Sequence, residues 1–145
     1  MAEVRTASVD DQKRAIEQWA AYWSAHDMEL LLPLFTDDVV YKDVTMGVVN
    51  RGIAELRAFG EGFFSGFPDV TFELQSAFVN GTRGGAEWVM RGTHTGSLPG
   101  MPATGKRVEV RGASIFDFMG DRIRRCSDYW DMATLLKQLG LMPSA

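Results

Sequence analysis

Four stretches, VTFELQSAFV (residues 70–79), GAEWVMRGTHTG (85–96), KRVEVRGASIFDFM (106–119) and DRIRRCSDYW (121–130), decide the fold. Each is rich in β-branched and aromatic side chains, and turn signals at Asn80-Gly81, Gly96 to Gly105 and Gly120-Asp121 separate them. An antiparallel meander is the expectation. Upstream the period changes from two to nearly four. Ser8 stands where an N-cap belongs, with Asp11 three positions on, and Ile16, Trp19, Ala20 and Trp23 recur at helical spacing, which predicts a helix from about Val9 to Ala25. Asp27 reads as the cap of a short helix through Met28, Leu31, Leu32 and Phe35. Residues 38–43 (DVVYKD) read as a strand, and Gly52 precedes a helical stretch, IAELRAFGEGFFSGF, ended by Pro68. The closing DMATLLKQLGL has helical spacing and a glycine, Gly140, where a C-cap belongs. Helices first and strands afterwards define an α+β class, with a curved antiparallel sheet wrapped on the N-terminal helices around one apolar pocket.

At 145 residues the chain has the size of one domain, read here over 1–145 with a core at about 9–141. Apolar residues make up 46% and charged residues 23%, the balance of an ordinary globular protein. Apolar runs such as Leu30 to Leu32 and Val39 to Tyr41 fall far below the roughly 18 residues of a membrane span, so no membrane partner is expected. The opening MAEVRTASVDDQ carries no basic region followed by an apolar one, which makes the cytoplasm the expected compartment. A net charge of −4, with no basic cluster beyond Arg122, Arg124 and Arg125, lacks the electrostatic footprint of nucleic-acid binding. The single cysteine, Cys126, excludes an internal disulfide and any multi-cysteine metal site.

Strand alternation selects the candidate site residues. Trp88, Met90, Gly92 and His94 share one face of their strand, and Val108, Val110, Gly112, Ser114, Phe116 and Phe118 share one face of the next; both sets read as inward. In the last strand Arg124, Cys126, Asp128 and Trp130 alternate with Ile123, Arg125, Ser127 and Tyr129, and Asp128 is assigned to the pocket beside Cys126 and Trp130. A carboxylate there loses hydration and gains pKa, which suits proton transfer near neutral pH; the same residue could equally accept a structural hydrogen bond. An inward His94 can act as base or donor, or bond to backbone at the sheet rim. Asp43, on the face of Tyr41, reads as a turn residue or as a proton shuttle at the pocket mouth. His26 reads as a solvated loop residue. Trp19, Trp23, Tyr41, Trp88, Met90, Ser114, Phe116, Cys126 and Trp130 are the candidate substrate-binding residues, any of which can equally be core. No metal-ligand spacing, phosphate loop or nucleophile elbow is present, so the expected site holds neither metal nor cofactor.

The ending IRRCSDYWDMATLLKQLG and the stretch GTHTGSLPGMPATGKRVEVRG resemble the SnoaL-like polyketide cyclases, from about Gln12 to Leu141. The resemblance implies the cone-shaped fold shared with nuclear transport factor 2, often as a homodimer through the outer face of the sheet. It also implies an aspartate in the last strand, here Asp128, as the acid/base of an intramolecular aldol closure; the family's histidine on the preceding strand corresponds to Ser114. Against the related ketosteroid isomerases, Asp43 in YKDVTMG matches the catalytic base, while Trp19 and Ser114 stand at the oxyanion-hole tyrosine and aspartate. Against the limonene epoxide hydrolases, SDYWD resembles the Asp-Tyr-aromatic-Asp run, without their Arg-x-Asp around Met90 to His94. The expected function is a cofactor-independent acid/base enzyme acting on a small apolar carbonyl-bearing ligand, of polyketide cyclase or isomerase type. A non-catalytic small-molecule binding protein and an epoxide hydrolase are the alternatives.

Overall fold

The computed structural model describes residues 8–143. Helix α1 (Val9–Ala25) starts as its sequence predicts: the Ser8 hydroxyl accepts from the Asp11 N–H at 3.1 Å while the Asp11 carboxylate accepts from the Ser8 N–H at 3.3 Å. This reciprocal box satisfies two amide groups that a helix start leaves without partners. Replacing the cap, Ser8→Ala, is expected to cost about 1 kcal/mol. A urea denaturation midpoint identical to that of the parent protein would show the cap to be redundant. One face of α1 buries Ala15, Ile16, Trp19, Ala20 and Trp23.

The helix ends at His26, whose φ of 57° is in the left-handed region. Its Nε2 donates to the Val70 carbonyl at 2.8 Å and its ring stacks on Phe64, with centroids 4.1 Å apart. His26 is therefore not the solvated residue its loop position suggested; these two contacts offset the cost of a side chain in that conformation. Helix α2 (Met28–Leu31), capped by Asp27, gives way to a 3-10 turn over Leu32–Leu34. The expected helix through Phe35 stops early because Pro33 cannot donate to the helical ladder.

Strands β1 (Phe35–Asp43) and β2 (Val48–Arg51), helix α3 (Gly52–Gly66), strands β3 (Thr71–Asn80), β4 (Arg83–Thr93), β5 (Arg107–Met119) and β6 (Arg122–Trp130), and helix α4 (Met132–Leu139) complete the order. The six strands form one curved sheet in the order β2-β1-β6-β5-β4-β3. β3 to β6 are the expected antiparallel meander. β2, a strand that no sequence pattern announces, pairs antiparallel with β1, and β1 joins β6 in parallel, the one parallel pair among the described strands.

Strict alternation fails in β6. The β5–β6 register shifts between Asp117, opposite Arg125, and Phe118, opposite Ile123. Ile123 and Cys126 are both fully buried while Arg124 and Arg125 are both exposed. A bulge of this kind inserts one residue, so side chains on either side of it lose their common parity. Arg124 therefore does not share the face of Cys126 and Asp128, whereas Ile123 does point inward.

Candidate active site

A cavity of about 410 Å³ lies between the concave face of the sheet and the helices. Helix α1 contributes Trp19, Ala20 and Trp23; α3 contributes Phe59 and Phe63, four residues apart on one face, with Phe67 one turn beyond. That Phe59 and Phe63 pair was a readable signal, because a four-residue spacing places both on one helix face, and Phe67 continues the stripe just past the helix end. The sheet adds Tyr41, Phe72, Trp88, Met90, Val110 and Trp130. Leu98, Pro99 and Met101, from the loop between β4 and β5, Met46 from the β1–β2 connection and Val48 at the start of β2 complete the wall together with Leu135 of α4.

In this apolar enclosure the lining ionisable groups are Asp43, Asp128 and Tyr41; no lysine, arginine or histidine is among the described lining residues. Asp43 and Asp128 are register partners on β1 and β6. The Asp128 Oδ1 accepts from the Ser114 hydroxyl at 2.6 Å and from the Cys126 thiol at 3.5 Å. Ser114 in turn accepts from the Trp88 indole N–H at 3.0 Å. Burial pushes the Asp128 carboxyl up to about 6, against the pull of its Ser114 and Tyr41 neighbours, and the nearby Asp43 charge adds to the rise.

Asp43 takes the turn role anticipated for it and also faces the cavity. Its Oδ1 accepts from the Met46 N–H, as a turn aspartate does, and from the Trp130 indole N–H, each at 3.0 Å. It also lines the cavity, and burial raises its pKa above the ordinary value. The Thr45 hydroxyl ties the same turn to β6, donating to the Trp130 carbonyl at 3.0 Å and accepting from the Trp130 N–H at 2.8 Å.

Burial, followed by the field of Asp128, holds the Tyr41 phenol well above its ordinary pKa, so it remains a donor. The Cys126 thiol is held up for the same two reasons and is not a nucleophile near neutral pH. The indole N–H groups of Trp19 and Trp23 are buried without an acceptor in hydrogen-bond geometry, although Trp19 lies near enough to Tyr41 to favour the phenolate slightly.

Of the residues singled out in the sequence, Asp43, Asp128, Trp19, Trp23, Tyr41, Trp88, Met90 and Trp130 are brought together on this wall. Ser114, Phe116 and Cys126 are fully buried behind it and do not line it. His94 is inward and fully buried, yet it too is absent from the lining. Its ring stacks on Phe67 and its Nδ1 accepts from the Thr104 N–H at 3.3 Å, so it anchors the β4–β5 loop instead of meeting Asp128. Parity gave its face correctly, but His94 lies one residue past the end of β4, where the chain turns behind the wall.

Comparison with known proteins bears on the family and the fold. The chain is 29% identical to the cyclase aurE of Calcarisporium arbuscula over 124 residues, covering 83% of this chain and 88% of that one. A candidate SnoaL-like polyketide cyclase from Jannaschia sp. CCS1 superimposes with a TM-score of 0.84 at 17% identity, covering 98% of this chain and all of that one (100%). A hypothetical protein of Catenulispora acidiphila with a ketosteroid isomerase-like fold superimposes with a TM-score of 0.78 at 23% identity, over 88% of this chain and 93% of that one. The family model for SnoaL-like polyketide cyclase matches residues 13–139, nearly the whole chain, and the chain belongs to that family.

Proposed function

We propose that this protein is a cofactor-independent acid/base enzyme that moves a proton at an acidic carbon of a small, apolar, uncharged carbonyl compound, as a polyketide cyclase or isomerase does. The observation that carries the reading is Asp128: a carboxylate buried in an apolar cavity and titrating near 6 is poised both to take and to return a proton near neutral pH. Ionised Asp128 removes the proton beside the carbonyl, the C–H electron pair flows into the enolate, and the protonated Tyr41 hydroxyl stabilises the developing oxyanion. In a ring closure the enolate carbon then bonds to a second carbonyl carbon, and the resulting alkoxide takes its proton back from a carboxylic acid, Asp128 or its neighbour Asp43. Two carboxylates and no cation among the described lining residues disfavour an anionic substrate.

A generic ketone suffices to test this, whatever the natural substrate. With β-tetralone as an apolar ketone probe in deuterated buffer, the protein should accelerate exchange of the protons beside the carbonyl, and Asp128→Asn should return exchange to the buffer rate. Equal exchange by both proteins would place the base elsewhere. The largely apolar wall also favours a second reading, a non-catalytic binding protein, for which tight ligand binding without any exchange is the expected result. The epoxide hydrolase reading requires label from water in the product, and no arginine is among the described lining residues to help position an epoxide oxygen.

The homodimer reading also remains a proposal. On the outer face of the sheet, Phe78 is 59% exposed and Tyr129 49% exposed. The registers Phe78–Gly85–Ile115 and Ala113–Tyr129 place them beside Ile115 and Ala113 in one apolar stripe. Phe78→Glu should convert a dimer to a monomer in sedimentation; an unchanged sedimentation coefficient would remove this face as the interface.

A further inference from the structure

An indole N–H can donate a hydrogen bond and cannot accept one. The Trp88 N–H therefore occupies a lone pair of the Ser114 Oγ, at 3.0 Å, and leaves the single Ser114 proton to be donated onward. Its acceptor is the Asp128 Oδ1, at 2.6 Å, a length typical of a charge-assisted O–H···O⁻ bond. Ser114 is fully buried, so no water competes for that proton. The Cys126 thiol donates to the same oxygen at 3.5 Å. Both donors thus converge on Oδ1, and Oδ2 receives neither.

The path depends on a missing side chain. Trp88 and Gly112 are register partners on β4 and β5, and a Cβ on Gly112 would stand only 2.4 Å from the Trp88 ring. The indole reaches Ser114 across the β5 backbone because position 112 is empty. Ser114 is itself the register partner of Asp128 on β6, so the chain of donors crosses three strands.

We propose that Trp88 and Ser114 form a one-way donor relay that pins Asp128 by its Oδ1 and leaves Oδ2 as the oxygen that exchanges a proton with substrate, with Gly112 making the space for it. The proposal rests on Asp128 being the working base. Trp88 and Ser114 are positioning residues in it, acting through that carboxylate. A carboxyl takes its proton more readily at the oxygen that the relay does not hold, so the relay biases the direction of attack and, together with the Tyr41 hydroxyl that also interacts with Asp128, sets the pH at which the carboxyl ionises.

The relay is tested in the free protein by following the Asp128 carboxyl carbon by NMR through a pH titration, a readout independent of turnover. Ser114→Ala removes a donor to the ionised form and should raise the Asp128 midpoint by about one pH unit. Trp88→Phe leaves the hydroxyl free to turn away and should raise it by a smaller amount. Because the two residues act in series, the double variant should titrate like Ser114→Ala alone, and Ser114→Thr, which keeps a hydroxyl, should titrate near the parent protein. A midpoint that Trp88→Phe leaves unmoved, or a double variant whose shift is the sum of the two, overturns the relay. If Ser114→Ala does not fold, Trp88→Phe and Ser114→Thr decide the matter. Failure of the exchange assay with the predicted titrations intact would count against the enzyme reading, and not against the relay.

Discussion

Asp128→Asn should slow proton transfer by a factor of roughly 10² to 10⁴, and the same substitution should make the folded protein more stable at pH 8. The loss follows because an amide cannot take the proton, while the Ser114 hydroxyl can still donate to its oxygen and keep the local geometry. The gain follows from linkage. Asp128 titrates near 6 in the folded chain and near its ordinary value, 3.8, when unfolded. Between those values the native state holds a proton that the unfolded state has released. Stability from this group is therefore complete below about pH 4 and is lost as pH rises through about 6. The difference amounts to something on the order of 3 kcal/mol above pH 7. Asparagine never ionises, so its urea midpoint should exceed that of the parent at pH 8 and converge with it near pH 4. An inactive variant that is also less stable at pH 8 would mean that the substitution damages the fold, and the base would then need another test. A carboxylate that weakens its own protein is the expected trade under the proposed function, which requires a charge in an apolar cavity.

Gly96→Ala should be among the most damaging single-methyl changes in the chain. A Cβ at that position would lie 1.8 Å from the Ser65 carbonyl oxygen and 3.1 Å from the Gly66 Cα. Both are backbone atoms at the end of α3, so no side chain can swing aside, and the Gly96 N–H also donates to the Gly66 carbonyl at 3.1 Å. Relieving the overlap means moving a helix end or the loop, at a cost of about 1–3 kcal/mol or more. The loop begins here and carries Leu98, Pro99 and Met101 to the cavity wall, so ligand affinity should fall together with stability. Gly62→Ala is the control. It sits inside α3 with nothing within 4 Å of its added carbon, and there alanine should stabilise by up to about 1 kcal/mol through its better helix propensity. Equal melting temperatures for Gly96→Ala and the parent protein would show that the α3 end and the loop are freer to separate than their packing indicates.

Much of this protein was determined by neighbours along the chain and is legible without coordinates. The Ser8 box, the α1 stripe of Ile16, Trp19, Ala20 and Trp23, and the four-strand meander all depend on periods of two or nearly four residues. Asp128 was legible for the same reason: from Cys126 onward the strand alternates regularly, and the parity of Cys126, Asp128 and Trp130 survives. What only the tertiary structure decided depends on register between strands distant in sequence. The parallel β1–β6 pair sets Asp43 beside Asp128 and Tyr41 beside Cys126, and no local pattern in YKDVTMG announces that partner. The bulge at Arg124 and Arg125 reverses a parity that alternation alone could not correct. His94 shows the remaining gap: alternation assigns a side chain to a face of a sheet, whereas its distance from the cavity is set by where the strand ends and what packs over it. Local periodicity specifies direction, and only long-range packing specifies depth and neighbours, because those contacts join segments whose separation in sequence carries no periodic signal.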